Sequence, residues 1–213
     1  MYLSSIKLNT QSRDTMKALA SPAILHSAVE EAFPGSREGK RRLWRIDYLR
    51  GSRYLLILSE DLPKLEKLAE KYGYPNEFIT KSYNKFLDNI KDGETYRFRI
   101  TANPTYSKSS GDPKKRGVVH AHKTEPKQRD WLKNKGDVCG FELNNENFGI
   151  TEAYMRKFRK RKDGKSQYVT LMTVTYEGTL KVINSELLKK SLCTGIGREK
   201  AYGMGLLTLM RNN

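Results

Sequence analysis

Tyr2 to Leu8, where Ser5, Ile6, Lys7 and Leu8 alternate polar and apolar with a period of two, reads as a strand. Asp14 to Ala20 is a short helix candidate. Ser21-Pro22 then supplies a start signal, an N-cap residue followed by a proline whose fixed φ suits the first helical position. The helix it opens, Ala23 to Ala32, carries Leu25, Ala28, Val29 and Ala32 on one stripe and stops before Pro34-Gly35. Leu43 to Tyr48 and Tyr54 to Ser59 read as two strands around an Arg50-Gly51-Ser52 turn. Leu62 to Tyr72 is predicted helical, with Leu62, Leu65, Leu68 and Ala69 on one face, and Phe78 to Thr80 can close the half as a last strand. The first half is β-α-β-β-α with that further strand.

Residues 81–93 form a polar connector ending in the turn signal Lys91-Asp92-Gly93. A second half opens with a strand from Glu94 to Asn103, stopped by Pro104. A basic loop (105–117), a helix around Gln128 to Lys135 and strands near 138–143, 148–159 and 166–177 follow, the last continuing as Thr179 to Val182 past Gly178. A helix from Ser185 to Leu192 and a final strand, Leu206 to Leu209, complete the pattern. Strands mixed with segregated helices imply two α+β units, 1–90 and 94–213.

Composition narrows the function. Forty Lys and Arg against 24 Asp and Glu give a net charge of +16 over 213 residues, which implies a polyanionic partner. Basic residues recur beside aromatic ones in strand-like segments and no basic amphipathic helix stands out, so nucleic acid is favoured over a membrane surface. No run approaches the roughly 20 apolar residues of a membrane span, and the N-terminus lacks a signal-peptide core. Cys139 and Cys193 have no Cys-x-x-Cys spacing, so neither a disulfide framework nor structural zinc is expected. The expected compartment is the cytoplasm.

Two segments concentrate the chemistry. Arg156, Lys157, Arg159, Lys160, Arg161, Lys162 and Lys165 place seven basic residues in ten around Asp163-Gly164, which reads as the turn of a basic β-hairpin suited to nucleic-acid phosphates. The second is Gly195-Ile-Gly-Arg-Glu-Lys-Ala-Tyr-Gly-Met-Gly205, where Gly195, Gly197, Gly203 and Gly205 surround Lys200. Without Cβ atoms, its backbone can approach a phosphate or a neighbouring helix closely. It lacks the Gly-Lys-Ser/Thr ending of a Walker loop, and no parallel βαβ unit precedes it as in a dinucleotide site. Its fixed positions match the glycine-rich loop of the repeat-associated RNA-binding superfamily of CRISPR proteins.

Further residues carry a closer resemblance: Met1-Tyr-Leu-Ser4, Ser12-Arg13-Asp14, Pro22 followed by His26, Leu43-Trp44-Arg45, Arg97-Phe-Arg99 with Ala102-Asn-Pro104, Trp131-Leu132 and Tyr176-Glu-Gly178. Over nearly its whole length the chain resembles the CasE family of CRISPR repeat endoribonucleases from type I-E Cascade. The resemblance implies two tandem ferredoxin-like (βαββαβ) domains and metal-independent cleavage of a repeat hairpin, with no cofactor. It also implies crRNA and other Cascade subunits as partners, with no membrane; the chain itself is expected to be a monomer or weak dimer.

His26 is the candidate catalytic residue. It borders the apolar stripe of its helix, so its ring can face outward, and a neutral imidazole can relay a proton during attack of a ribose 2′-OH on the next phosphate. The family places its catalytic histidine at the matching position. Two departures stand beside it: some relatives have a tyrosine where this chain has Ala23 and a lysine where it has Glu31. Arg41, Arg42 and Lys200 are candidates for charge stabilisation. Tyr202 can stack on a base or simply pack, whereas Trp44 and Trp131 are expected in the core. His120 and His122 share a strand face but make only half a metal site, so no metal is expected. The departures keep a second reading open, a crRNA-holding protein that no longer cuts; a general nucleic-acid binder is a third.

Overall fold

The computed structural model describes residues 1–35, 39–109, 111, 117–162 and 165–211, without the side chains of 161, 162 and 165. The expected Asp163-Gly164 turn, the loop cations Lys114, Lys115 and Arg116, and Arg37 lie outside the described residues.

β1 (Tyr2–Leu8), β2 (Arg42–Leu49), β3 (Ser52–Ser59) and β4 (Gly73–Ser82) form an antiparallel sheet in the order β2-β3-β1-β4. Helices α1 (Arg13–Ala20) and α2 (Pro22–Glu31) connect β1 to β2, and α3 (Glu66–Tyr72) connects β3 to β4. Pro22 takes the first helical position as expected, but the Ser21 side chain makes no capping bond. The α3 helix starts later than the apolar stripe suggests: Leu62 is 59% exposed, and only from Leu65 onward does the face turn inward.

A short helix, α4 (Asn84–Asp88), interrupts the expected connector. The second sheet then repeats the first one's layout. β5 (Thr95–Ala102) lies at its centre. Part of the expected loop instead pairs as a small antiparallel ribbon of β6 (Thr105–Lys108) and β7 (Val118–Ala121). Helix α5 (Glu125–Cys139) runs through the start of the strand expected at 138–143. It stops only at Gly140, whose φ of 82° reverses the chain, and leaves the two-residue β8 (Phe141–Glu142). β9 (Phe148–Lys162) and β10 (Lys165–Val182) make a long hairpin with one register shift, and α6 (Ser185–Thr194) leads toward β11 (Leu207–Arg211). The order is β11-β5-β10-β8, with β9 also on β10. Both sheets therefore follow the βαββαβ order with the last strand beside the first, the ferredoxin-like arrangement, twice over.

The two sheets are packed together. Leu55 and Ile57 of β3 turn toward α2 and α3, while Leu56 and Leu58 turn toward the second sheet. Successive residues of a strand point to opposite faces, so burial on both sides explains why β3 reads as an unbroken apolar run. A fully buried arginine crosses the contact. Arg45 of β2 donates from Nε and Nη2 to the two carboxylate oxygens of Asp47 (2.6 and 2.7 Å), and its Nη1 donates to the carbonyls of Arg99 and Leu206 (2.8 and 2.7 Å). Nη2 also donates to the Thr208 hydroxyl at 2.8 Å. Arg99 approaches Asp47 from the other sheet at 3.3 Å and pairs with Glu177.

Candidate active site

Three elements meet at His26. It sits in the second turn of α2 with its side chain 24% exposed, while Leu25, Ala28 and Val29 anchor the helix in the core. Ala23, one turn earlier, packs against Phe158 and Leu171 of the long hairpin and Tyr202 and Met204 of the glycine loop. Helix, hairpin and loop thus share one small apolar cluster, and the histidine stands at its rim.

Two clefts open on either side of the imidazole. The larger, about 710 Å³, lies between α2 and the hairpin; Arg159 and Lys160 line it together with Ala23, Glu31 and Lys71. The other, about 440 Å³, lies between the start of β2 and the glycine loop, with Lys40, Arg41, Arg42, Arg198 and Lys200 around it. The structure therefore brings His26, Arg41, Lys200, Arg159 and Lys160 to one place, though they span most of the chain.

Charges near the ring are ordered. Glu30, one turn beyond His26, has a carboxylate oxygen 3.8 Å from Nδ1, and its other oxygen accepts from Arg42 at 2.5 Å. Arg42 is nearly buried, lies over the Phe33 ring at 4.4 Å and fixes Glu30 through Nη1, while it also forms part of the wall of the second cleft. The pKa of Lys200 is held below its ordinary value by burial, then by the Arg41 guanidinium, with Lys135 adding to the effect. An anion placed there would relieve this crowding of cations.

The hairpin's basic residues divide by strand alternation. Arg156 turns inward and donates to the Leu19 carbonyl of α1, and burial lowers its pKa. Lys160 lies over the Tyr202 ring at 5.7 Å. On the outer face Lys157 and Arg159 flank Tyr168, whose hydroxyl accepts from Arg159 Nε at 2.8 Å. Arg161, Lys162 and Lys165 continue the ladder, with Lys162 opposite Lys165. Tyr202 is buried edge-on against Phe158, so of the two readings open for it, packing is the one realised.

The glycine loop folds onto both tryptophans. A Cβ on Gly203, whose φ is 80°, would stand 2.7 Å from the Trp44 ring, and one on Gly197 would stand 3.1 Å from Trp131. Gly195 caps α6, and Gly205 donates to the Thr101 carbonyl while its own carbonyl accepts from Ile196. Lys200 begins a single 3₁₀ turn, Lys200–Tyr202, held between these contacts. The close approach demanded by the glycines is to ring faces and to the loop's own backbone.

Lys71 and Arg198 were not singled out from the sequence. Arg198 was legible as a cation inside the glycine window; Lys71 had no such signal, because only the tertiary fold brings the end of α3 to α2. His120 and His122 do not gather a third ligand: among the described residues no cluster of three metal-ligating side chains occurs. No described helix is long and apolar enough to cross a membrane.

Tandem ferredoxin-like sheets with a histidine between two cationic clefts form a surface to which a polyanionic strand can bind. The chain belongs to the CRISPR-associated protein family, whose model matches residues 1–211. It is 30% identical to the CRISPR-associated endoribonuclease Cse3 of Thermus thermophilus over 98% of this chain and 99% of that protein. A structure of CRISPR endoribonuclease Cse3 bound to a 19-nucleotide RNA superposes with a TM-score of 0.82 at 28% identity, covering 99% of this chain and all of the other. A chain of a CRISPR RNA-guided surveillance complex in its pre-nicking state shares the fold at a TM-score of 0.74 and 21% identity, each chain covered in full.

Proposed function

We infer that this protein is a CRISPR repeat endoribonuclease that binds the stem-loop of precursor RNA and cuts at its 3′ base to give mature crRNA. The observation that carries the reading is the position of His26, between the cleft of the basic hairpin and the cleft of the glycine loop. The ribose 2′-OH attacks the adjacent phosphorus, the P–O5′ bond breaks, and the products are a 2′,3′-cyclic phosphate and a 5′-OH. His26 moves the proton, while Arg41, Lys200 and Lys160 offset the charge that builds on the phosphoryl oxygens. No step calls for a metal ion or cofactor.

Residues 1–90 supply the histidine and 94–213 supply the hairpin and loop, so neither unit alone holds the site. The protein works in the cytoplasm as a monomer or weak dimer, stays on its product and joins other Cascade subunits. A specific observation favours a second reading: Ala23 and Glu31 line the cleft where some relatives carry a tyrosine and a lysine. On that reading the protein holds crRNA without cutting it.

A denaturing-gel assay on the cognate repeat hairpin in EDTA, with wild type beside His26→Ala, separates the two. Cutting at one site by wild type alone supports the endoribonuclease. Tight hairpin binding with no cutting by either supports the crRNA-holding subunit, and full cutting by His26→Ala removes His26 from the mechanism.

A further inference from the structure

Outside the His26 clefts, a groove of about 550 Å³ runs between the β6-β7 ribbon and α5. One wall carries the rings of Tyr106 and His122. Tyr106 is 46% exposed, its centroid 5.6 Å from that of His120 opposite it and 4.9 Å from that of His122. The other wall is a single face of α5, where Lys127, Asp130, Asn134 and Lys135 recur at helical spacing around Trp131. The ribbon is anchored at this groove: the His122 amide donates to the Pro104 carbonyl, and Gln128 donates to the His122 carbonyl. The His122 Nδ1 is buried and has no hydrogen-bond partner. A buried polar atom left so is costly unless something else satisfies it.

The groove borders the glycine loop. Trp131 forms part of its lining and lies under Gly197, while Lys135 stands over Trp131 and is close enough to act on Lys200. Cations thus continue from the His26 site across the loop to a set of exposed rings. Alternating positive charge and aromatic faces is the pattern that holds unpaired nucleotides, with phosphates on the lysines and bases on the rings. Asp130 and Asn134 offer acceptors and donors for base edges or a 2′-OH, which a groove for duplex phosphates alone would not need.

We propose that the groove between Tyr106 and α5 binds the single-stranded RNA that continues from the base of the repeat hairpin, stacking an unpaired base on Tyr106. The proposal rests on the endoribonuclease reading and adds a second RNA contact to it. It requires that an unpaired extension increase affinity and that Tyr106 supply part of the increase.

Affinities should be measured by fluorescence anisotropy for three RNAs carrying a 2′-deoxy scissile nucleotide: the minimal hairpin, and the hairpin with about five unpaired nucleotides added on its 5′ or 3′ side. Tyr106→Ala is expected to weaken one extended RNA by about 5- to 150-fold, the range for loss of one base stack. It should leave the minimal hairpin within about twofold, and Tyr106→Phe should retain the affinity. Lys135→Ala should lower the salt slope by about one for that extended RNA only. Equal loss on all three RNAs, or none on any, overturns the proposal, as does a wild type that gains nothing from either extension. Failure of the wild type to bind the minimal hairpin would instead overturn the endoribonuclease reading.

Discussion

Arg45 ties the two sheets together by hydrogen bonds that cross their contact. All five of its N–H donors are used: two on the Asp47 carboxylate, two on backbone carbonyls and one on the Thr208 hydroxyl. Arg45→Met keeps most of the stem volume and removes every one of these bonds. The Asp47 carboxylate, 4% exposed, is left with Arg99 Nε at 3.3 Å as its remaining cation. Breaking a buried pair from one side costs about 3–5 kcal/mol. The Leu206 carbonyl also loses this donor, an added cost of about 1–3 kcal/mol, whereas the Arg99 carbonyl keeps the Thr208 hydroxyl at 3.3 Å. The expected loss is about 4–6 kcal/mol, since such terms overlap, and this is a large part of the 5–15 kcal/mol typical of a folded domain.

Urea denaturation checks this, followed by far-UV circular dichroism and by tryptophan fluorescence. Trp44 and Trp131 report on the cores of the first and second halves. Arg45→Met should move the midpoint far down. If the buried charge causes the loss, Arg45→Met combined with Asp47→Leu should recover about 3 kcal/mol, because removing both partners leaves no unpaired ion. A single variant losing less than about 1.5 kcal/mol would refute the reasoning. So would a double variant whose loss equals the sum of the two single losses.

Three further outcomes follow from the site. Gly203→Ala places a Cβ at positive φ and 2.7 Å from the Trp44 ring, so thermal unfolding should show a loss of about 2–4 kcal/mol. Arg159→Ala and Lys160→Ala should each flatten the salt dependence of hairpin binding by about one unit, read from affinities at several ionic strengths; Arg156→Ala should change stability, because that guanidinium is tied to the Leu19 carbonyl. Lys200 has a folded pKa below its ordinary 10.5, so the unfolded chain holds its proton more tightly and stability rises as pH climbs through that interval. Lys200→Met should therefore raise Tm at pH 7, by an amount that shrinks toward pH 10.5, while weakening RNA binding.

The period-two pattern of β1 and the apolar stripe of α2 were legible because each is a local pattern tied to one buried face, and the long β9-β10 hairpin was legible from its paired strand-like segments. The β6-β7 ribbon was not, since its strands are short and their exposed residues follow no burial pattern. Nor was the direction of a charge. Arg45 and Arg156 look like cations awaiting an anion, yet their partners are the opposing sheet and α1. Composition counts charges but cannot tell which of them already have a protein acceptor, and for Arg45 two of the acceptors lie 161 and 163 residues away. The glycine loop was legible as a motif, while the rings it packs on belong to distant segments of the chain.

The two departures in the cleft differ in kind. Glu31 is exposed, and for an assumed separation of about 8 Å, exchanging a cation for an anion there changes its interaction with a phosphate by roughly 1 kcal/mol at solvent-like screening. That is a factor of about five, in a cleft already lined by Arg159, Lys160 and Lys71. On the family resemblance, Ala23 stands where some relatives carry a tyrosine able to exchange a proton, and a positioned acid or base contributes about 10²–10⁴ in rate. Ala23 also lies partly buried against the cluster of Phe158, Tyr202 and Met204, facing the cleft, where a larger side chain has room only on the open side. On the proposed mechanism, proton transfer, not charge, is therefore the scarcer resource around His26. Single-turnover cleavage should rise by no more than about tenfold in Glu31→Lys and by more than that in Ala23→Tyr; the reverse order would mean that phosphate charge limits the reaction.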